Sequence, residues 1–369
     1  MSGAGHSTKP LTVGIAGYGV VGQRRHHFIK EDPRLKLIGI SDLLFSSNTT
    51  VSSDDGVPRY RDYRDVLKEK PDLFFVCLPN NEAPRATITA LETGCHVFCE
   101  KPPGRTVGDI REVRSVEAKH PRLKLKYGFN HRYHESVREA LKLVQSGTLG
   151  RVVNLRGVYG KSAVISWPRP LVLPPGDPNA GKYWRTDRMM AGGGILLDQG
   201  IHMVDLMRAF AGEFTNVKSF VKNDFWNHDV EDNAYAIMET SDGVVAMLHS
   251  TATQWKHRFS LEIFLSEGAV ILSGILSGTR SYGQEQLTVL YREDSDGGNP
   301  KEQSTTYIRD PSWKDEITDF VDAIERDLPI QVGSSLDALK SMELVYRIYR
   351  ADDSWRAKFP VGAESDVRS

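Results

Sequence analysis

The chain has few of the features that mark a secreted, membrane-bound or nucleic-acid-binding protein. It contains three cysteines in 369 residues, Cys77, Cys95 and Cys99, too few for a disulfide framework, which indicates a reducing compartment. Its 47 basic residues balance 48 acidic ones, so no strong field favours nucleic acid or an anionic membrane. No apolar run approaches the ~20 residues of a spanning helix, and residues 1–10 resemble a flexible polar tail rather than a signal peptide. We therefore expect a cytoplasmic protein with a small-molecule partner.

Cys95 and Cys99 flank His96, an arrangement that raises the question of a metal site. The whole stretch 95–99 is short and largely apolar, as is typical of a buried strand, where cysteine behaves as a small apolar residue. A structural metal needs several ligands in a fitting geometry, which this stretch does not supply. The sequence therefore predicts no metal.

The length of the chain favours two domains, because a single hydrophobic core rarely grows to this size. The first third alternates short β-branched stretches with helical patterns. The predicted strands are 11–16, 35–41, 72–78, 95–99 and 123–128, and the predicted helices are 20–30, 63–70, 83–93 and 107–120. This alternation is typical of an α/β domain with a doubly wound parallel sheet, which binds ligands beyond the carboxyl ends of its strands.

After residue 130 the pattern changes to successive strands with little helix between them, which predicts a mainly antiparallel sheet in an α+β domain. The predicted strands are 151–159, 217–222, 233–239, 244–250, 258–265, 269–272 and 287–291. Helices are predicted at 134–145, 313–325 and 336–349, with one more opening near residue 195. The polar stretch 293–304 is predicted to be a mobile loop.

A glycine-rich turn directly follows the first strand and opens a helix, with the spacing G-x-G-x-x-G. The first glycine allows the turn, the second lets a pyrophosphate approach the backbone, and the third allows close helix packing. The helix N-terminus supplies free N–H groups to the phosphates. The sequence therefore predicts a Rossmann domain whose cofactor contacts include Gly17, Tyr18, Gly19, Val20, Val21 and Gly22.

Asp42 ends the second strand, twenty residues after Gly22. A carboxylate there can accept hydrogen bonds from ribose hydroxyls and would repel a 2′-phosphate, and no arginine follows it directly. We therefore expect NAD rather than NADP as the cofactor. The alternative is that Asp42 is only a solvated acid at a strand end.

Lys101 follows the strand predicted at 95–99, within Glu100-Lys101-Pro102, where the nicotinamide of a cofactor held by the first turn should lie. A cation there can stabilise an alkoxide as it forms. Alternatively, Lys101 only braces Glu100 or a phosphate. We assign five residues to the cofactor side. Leu78, Pro79 and Asn80 lie at the end of the preceding strand, and Glu100 and Lys101 lie at the end of this one.

Asp198 and His202 lie four positions apart, just after the triplet Gly192-Gly193-Gly194. Four residues span about one helical turn, so the carboxylate and the imidazole share a face and can meet at one substrate. The glycines permit close approach by a backbone or a ligand. The alternative is a buried helix with a structural histidine, because its remaining residues are mostly apolar.

Three of these motifs together resemble the glucose–fructose oxidoreductase / inositol dehydrogenase / MocA family, over residues 11 to 349. They are the glycine turn at 17–22, the Glu100-Lys101-Pro102 segment, and the glycine triplet with Asp198 and His202. The resemblance implies an NAD(P)-dependent oxidoreductase acting on sugars, cyclitols or nucleotide sugars. It also implies an open sheet that forms the oligomer interface, hence a homodimer or homotetramer. The expected division is a tail (1–10), a Rossmann domain (11–130), a substrate-binding and oligomerisation domain (131–350) and a C-terminal tail (351–369).

By position, the resemblance assigns Lys101 as the catalytic lysine, Asp198 as the substrate-side acid and His202 as the general base. It also places Asn130, His131, Arg132, Trp184 and Arg185 in the substrate pocket. We add Tyr159 and Lys161 to this pocket, which would suit hydroxyls, a carboxylate or a phosphate. One departure stands out. Many members carry a histidine shortly after the Pro-Asn pair, where this chain continues with Asn81.

The expected activity is NAD-dependent oxidation of a secondary hydroxyl, with hydride transfer to nicotinamide. A second possibility within the same family is an NAD-dependent glycoside hydrolase that oxidises a ring hydroxyl transiently and then eliminates the aglycone. A third is a cofactor-binding regulator without catalysis, since fold alone does not fix function. A regulator has no need of Lys101, Asp198 and His202 together.

Overall fold

A computed structural model describes residues 9–46, 49–52, 54–164, 183–293 and 297–359, and two large sheets form its frame. The tails predicted at 1–10 and 351–369 lie largely outside these ranges. No helix in the described ranges is both long and apolar enough to cross a bilayer.

The first sheet has seven strands in the order β3-β4-β2-β1-β5-β6-β7. Its strands are β1 (Leu11–Ala16), β2 (Leu35–Ser41), β3 (Thr50–Val51), β4 (Pro58–Tyr60), β5 (Leu73–Val76), β6 (His96–Glu100) and β7 (Leu125–Gly128). All neighbours pair in parallel except β3 with β4. The predicted doubly wound sheet is therefore confirmed. Strands β3 and β4 were not predicted, because two and three residues are too short to show a period.

Helices cover both faces of this sheet. The first four are α1 (Val20–Glu31), α2 (Tyr63–Lys68), α3 (Ala83–Thr93) and α4 (Val107–Glu117). Alternate residues of β5 enter different cores: Phe74 packs with α3 and α4, whereas Phe75 packs with α1 and with Phe320 from the C-terminal part of the chain. A strand buried on both faces reads as a continuous apolar run, which is what β5 shows.

The second sheet has eight strands in the order β15-β14-β13-β12-β8-β11-β10-β9. Its strands are β8 (Val152–Gly160), β9 (Phe214–Lys222), β10 (Asn233–Thr240), β11 (Val245–Thr251), β12 (Arg258–Leu265), β13 (Gly268–Ser273), β14 (Glu285–Tyr291) and β15 (Lys301–Tyr307). Neighbours are antiparallel except β8 with β11, which confirms the mainly antiparallel prediction.

Strand β15 corrects one expectation, because the sequence predicts a loop over 293–304. Lys301–Tyr307 instead pairs along β14, with Ser304 opposite Thr288. This edge strand is largely exposed on both faces, so no apolar residue marks it in the sequence.

The remaining α-helices are α5 (Glu135–Gln145), α6 (Arg188–Ala191), α7 (Ile201–Ala211), α8 (Ser312–Glu325), α9 (Ser335–Ala351) and α10 (Asp353–Lys358). Helices α7 and α9 pack on the inner face of the second sheet, whereas α8 returns to the first sheet and covers Phe75 and Phe98. Helix α10 corrects the predicted tail from residue 351. The Asp352 side chain caps it and Trp355 is buried, which ties this segment down.

Candidate active site

The glycine-rich turn after β1 leaves open space at its second glycine only. A Cβ atom on Gly17 would lie 2.4 Å from the carbonyl oxygen of Cys77, and one on Gly22 would lie 2.0 Å from that of Gly17. A Cβ atom on Gly19 would have no heavy atom within 4 Å. Packing therefore requires the outer two glycines, while Gly19 leaves room for a ligand to approach the backbone.

Helix α1 presents an uncapped N-terminus at this open space. No side chain caps Gly19, and the first turn has no acidic residue. Tyr18, Val20 and Val21 complete the turn, and Val20 is exposed. Free N–H groups and the positive end of the helix dipole favour a phosphate. The residues present therefore fit the pyrophosphate of NAD.

Asp42 lies against the same turn. Its carboxylate accepts the backbone N–H of Tyr18 at 2.7 Å and that of Leu44 at 3.0 Å. Each carboxylate oxygen has a further lone pair available. Asp42 is thus held beside the turn rather than free at a strand end, in a position to accept ribose hydroxyls.

The exits of β5 and β6 have structural partners as well. The Asn80 amide is buried and donates to the carbonyl of Ala191 at 2.7 Å, which ties this exit to the glycine triplet. Pro79 accepts the N–H groups of two residues at the start of α3, and Leu78 packs at the edge of the core.

Glu100 is paired with Arg25 rather than with its neighbour Lys101. The fully buried Arg25 donates to Glu100 at 2.7 Å and to Glu316 of α8 at 2.7 Å. Burial raises the pKa of Glu316 to about 7, although Arg25 opposes this shift. Helices α1 and α8 therefore clamp the strand end that carries Lys101.

Lys101 points toward the second domain and meets the segment predicted to contain the acid and the base. Its Nζ donates to the backbone carbonyl of Asp198 at 2.7 Å, across 97 residues of sequence. Burial lowers the pKa of Lys101, and Asp198 opposes this shift. The two motifs that the sequence singles out thus lie in direct contact.

The Asp198 carboxylate lies between two further cations. Lys161, just beyond the end of β8, contacts Oδ2 at 3.3 Å, and Arg185 contacts Oδ1 at 3.3 Å. The Arg185 guanidinium stacks over the ring of Trp184 at 4.3 Å. Burial alone would raise the pKa of the Asp198 carboxyl, but the three neighbouring cations hold it well below its ordinary value. Asp198 is therefore ionised.

Close packing leaves no room for a Cβ atom at any position of the glycine triplet, and the third glycine packs against Glu231. A Cβ atom on Gly194 would lie 2.0 Å from the Glu231 carbonyl oxygen, and Gly192 has a positive φ of 82°. The buried Glu231 carboxylate accepts the N–H groups of Gly194 at 2.7 Å and Leu196 at 2.9 Å. It also accepts the hydroxyl of Tyr349 at 2.7 Å. Glu231 thereby fixes the start of the helical segment that carries Asp198.

That segment is a π-helical turn, Leu196–Gly200, which runs directly into α7. Asp198 lies on the π turn and His202 lies on the α-helix. A π turn widens the helix locally and is frequently found at functional sites. The four-residue spacing therefore does not follow the regular α-helical geometry that the sequence suggests.

His202 is a buried imidazole, 5% exposed, whose Nδ1 has no hydrogen-bond partner among the described residues. Its ring stacks on His131 at 3.9 Å between centroids, with an interplanar angle of 13°. Burial, and to a smaller extent Lys101, lower its pKa well below the ordinary value. His202 is therefore neutral at pH 7 and can accept a proton.

A hydrogen-bonded chain holds the His131 ring against His202. One ring nitrogen of His131 contacts Asn130 at 3.2 Å and the other contacts the Tyr159 hydroxyl at 3.0 Å. Asn130 in turn donates to Ser312 at 3.1 Å, at the start of α8. The structure thus brings Asn130, His131 and Tyr159 to the same place as His202.

Two family profiles match the chain. Residues 11–129 match an oxidoreductase family with an NAD-binding Rossmann fold, and residues 137–271 match the GFO/IDH/MocA C-terminal domain. The chain belongs to the GFO/IDH/MocA family. This confirms the resemblance, the NAD cofactor and an oxidoreductase that acts on CH–OH groups.

Named relatives of this GFO/IDH/MocA protein cover much of its length. D-glucoside 3-dehydrogenase of Escherichia coli (strain K12) is 29% identical over 268 residues, 66% of this chain and 71% of that protein. Myo-inositol 2-dehydrogenase of Thermotoga maritima is 24% identical over 297 residues, 78% of this chain and 80% of that protein. The solved complex of levoglucosan dehydrogenase with NADH and levoglucosan superposes with a TM-score of 0.78 at 19% identity, covering 94% and 98% of the two chains.

Arg132 differs from the other pocket residues predicted for this GFO/IDH/MocA protein. Its guanidinium donates twice to the buried Asp205 of α7, at 2.6 and 3.0 Å. A bidentate pair of this kind occupies the fork of the arginine. Arg132 therefore braces α7, and its assignment to substrate stays a prediction.

Sequence reasoning missed several residues of the site. Gln199 donates to the hydroxyl of Tyr282 at 3.1 Å, and the Tyr282 ring packs against Tyr159 at 5.3 Å. Glu231 was missed because it acts on the glycine triplet from 37 residues away. The one local signal for Glu231 is that it is a buried acid, because acids are rarely buried without partners. Within the described ranges, no group of His, Cys, Asp and Glu side chains is arranged to hold a metal.

Proposed function

We propose that this protein oxidises a secondary hydroxyl of a sugar or cyclitol with NAD, at a site whose polar groups are Lys101, Asp198 and His202. The observation that carries the proposal is the His202 imidazole, which is buried, neutral and unpartnered at Nδ1. A buried polar atom without a partner is costly unless a ligand satisfies it. The names of the relatives, a glucoside dehydrogenase and an inositol dehydrogenase, support a carbohydrate substrate.

Bound nicotinamide supplies the hydride acceptor of such an oxidation. The hydroxyl must also lose a proton, which it does not release unaided near neutral pH. The neutral His202 imidazole is the form that takes this proton, and its ring is held in place by the His131 stack. His202 is thus the general base of the proposed reaction.

Lys101 acts on the oxygen of the reacting hydroxyl, and Asp198 acts on the hydroxyl next to it. The Lys101 ammonium, oriented by the Asp198 carbonyl at 2.7 Å, can donate to the substrate oxygen and offset the negative charge that develops there. The ionised Asp198 carboxylate can accept a hydrogen bond from an adjacent hydroxyl, which selects vicinal diols.

The cofactor side supports NAD over NADP. Asp42 lies beside the glycine turn with its carboxylate fixed by two backbone N–H groups. A 2′-phosphate at that position would meet a negative charge. We expect NAD to bind much more tightly than NADP, and equal dissociation constants would contradict this assignment.

The experiment is a panel of free sugars, inositols, sugar acids and nucleotide sugars, followed by NADH absorbance, with the Lys101→Ala and His202→Ala variants alongside. Each variant should lower turnover by about two or more orders of magnitude, because each removes a group needed in the transition state. Near-normal turnover in either variant would remove that residue from the mechanism.

The same panel separates the remaining functions of this fold. Stoichiometric NADH from a free sugar supports the dehydrogenase, whereas cleavage of a glycoside without net NADH would indicate transient ring oxidation and elimination. NAD binding without turnover of any substrate would indicate a regulator.

A further inference from the structure

Among the described residues, the proposed substrate site carries more positive charge than its one carboxylate, Asp198, balances. Lys161, Arg185 and Lys101 all lie against Asp198, and Lys101 contacts its backbone carbonyl rather than its carboxylate. One negative charge therefore faces three cationic side chains. A buried charge is costly unless it is paired.

Lys161 is the most deeply placed of these cations beside the carboxylate. It is 6% exposed, and its backbone is fixed by hydrogen bonds to Thr251 at 2.9 Å and from Gln254 at 3.0 Å. Its Nζ has three donors, and within the described part of the chain Asp198 is its one hydrogen-bond acceptor. Burial lowers the pKa of Lys161, and Arg185 adds to this shift while Asp198 opposes it.

Arg185 faces the same space from the other side. Its Nε contacts Asp198, while the guanidinium plane lies on the Trp184 ring and the side chain is partly exposed. A guanidinium presents several donors in one plane, which suits a carboxylate or a phosphate. Lys161 and Arg185 therefore flank Asp198 with donors left for a further acceptor.

Other carboxylates near these elements have partners of their own. Glu100 is paired with the buried Arg25, and Glu231 accepts two backbone N–H groups and a tyrosine hydroxyl. Asp187 caps α6 by accepting the N–H of Met190. None of these three described acids contacts Lys161, so within the described ranges Asp198 is the one carboxylate that does.

We propose that the carbohydrate oxidised at this site bears an anionic group, a carboxylate or a phosphate, that binds between Lys161 and Arg185. This inference rests on the function proposed above and narrows its substrate class. The hydroxyl is held by Asp198 and His202, and the anion occupies the donors that Asp198 leaves unused. An anionic substrate thereby balances the charge of the site on binding.

The test compares sugars of one configuration with and without an anionic group. For glucose, galactose and mannose, kcat/KM of the full chain with NAD is measured for the neutral hexose, its uronate, its 1-phosphate and its 6-phosphate. In at least one set, an anionic member should exceed the neutral hexose by about tenfold or more. If the uronate is the faster substrate, the anionic group of the natural substrate is a carboxylate. If a sugar phosphate is faster, that group is a phosphate.

Three variants show whether the two cations cause this preference. Lys161→Met should lower kcat/KM for the preferred anion by about tenfold or more beyond any loss that it causes for the neutral hexose through Asp198. Arg185→Gln removes the charge of a partly exposed side chain. It should also lower kcat/KM more for the preferred anion than for the neutral hexose. Lys36→Met is the control. It removes an exposed lysine on β2, outside the proposed site, and should change kcat/KM for neither the anion nor the neutral hexose.

The outcomes separate this inference from the proposed function. Good NADH formation from the neutral hexoses, with every anionic member slower, would overturn the anionic substrate and leave the dehydrogenase intact. An equal loss for charged and neutral substrates in Lys161→Met would overturn it as well. No NADH from any compound in the three sets would count against the proposed function and this inference together.

Discussion

His202 is buried and Asp198 is partly buried, and their surroundings push their ionisation in opposite directions. Three cations keep the Asp198 carboxyl ionised, whereas burial keeps the His202 imidazole neutral. Each residue is thereby in the form that the proposed reaction needs: an acceptor for hydroxyls and an acceptor for a proton.

The first prediction concerns the pH dependence of the proposed oxidation. Because burial lowers the pKa of His202, the neutral base is present throughout the neutral range and is lost only as pH falls through that lowered value. We expect kcat/KM to be level around pH 7 and to fall on the acid side with a midpoint below 6.5. The lowered pKa of Lys101 places the alkaline fall below 10.5, since its charged form is the active one.

The measurement is kcat/KM from pH 4.5 to 9.5, with circular dichroism at each pH to exclude unfolding. An acid limb with its midpoint at or above 7 would argue against His202 as the base. Asp198 is not expected to contribute a limb, because its pKa lies well below this range.

At this scale, the contact between the strand-end lysine and the acid was predictable from the sequence. The position of Lys101 at a strand end and the spacing of Asp198 and His202 pointed to one site. Contacts such as Gln199 with Tyr282 join residues 83 positions apart and leave no local pattern. Whether Arg132 pairs with Asp205 or with a ligand depends on packing that spacing does not encode.

The glycine turn and helix α1 form the element that we propose binds the cofactor, and its glycines have separable roles. Gly22 is needed by the fold, because a Cβ atom there would lie 2.0 Å from a backbone oxygen. The fold does not need Gly19, because a Cβ atom there has open space and its φ of −68° suits alanine, so we expect this glycine to matter for the ligand.

The prediction at this scale compares Gly19→Ala with Gly22→Ala. Gly19→Ala should leave the free energy of unfolding within about 1 kcal/mol of the parent and weaken NAD binding by about tenfold or more. Gly22→Ala should lower the free energy of unfolding by about 3 kcal/mol or more, since backbone must move. Chemical denaturation and calorimetric titration with NAD give both quantities. Unchanged NAD affinity in a folded Gly19→Ala protein would show that the pyrophosphate does not approach this turn.

The elements that sequence patterns predicted are those with a clear period, such as α3 and β12, whose bounds agree with the structure. The elements that were missed lack one. Strand β15 is polar along its length, and the π turn at Leu196–Gly200 depends on the distant Glu231. Helix α10 follows α9 after a single residue, so the sequence gives no gap to mark it.

The outer face of the second sheet carries several exposed apolar side chains on neighbouring strands. Phe220, Tyr235, Ile237 and Met247 project from the three neighbouring strands β9, β10 and β11, and the last two lie opposite each other. Exposed fractions of 69% for Phe220 and 54% for Ile237 are high for such side chains. A contiguous apolar patch on a sheet marks an association surface.

We therefore predict that the protein is a homodimer or homotetramer associated through this face, and that Ile237→Glu shifts it toward monomer. A charge buried without a partner in an interface is strongly unfavourable, while the same charge on a free surface costs little. Analytical ultracentrifugation at micromolar concentration measures the shift. Leu328→Glu, at an exposed position just after α8, is the control and should leave the assembly intact. A parent protein that sediments as a monomer would contradict the prediction, because the protein would then not associate through this sheet. An Ile237→Glu variant whose assembly matches the control would contradict it as well, because the subunits would then associate through another surface.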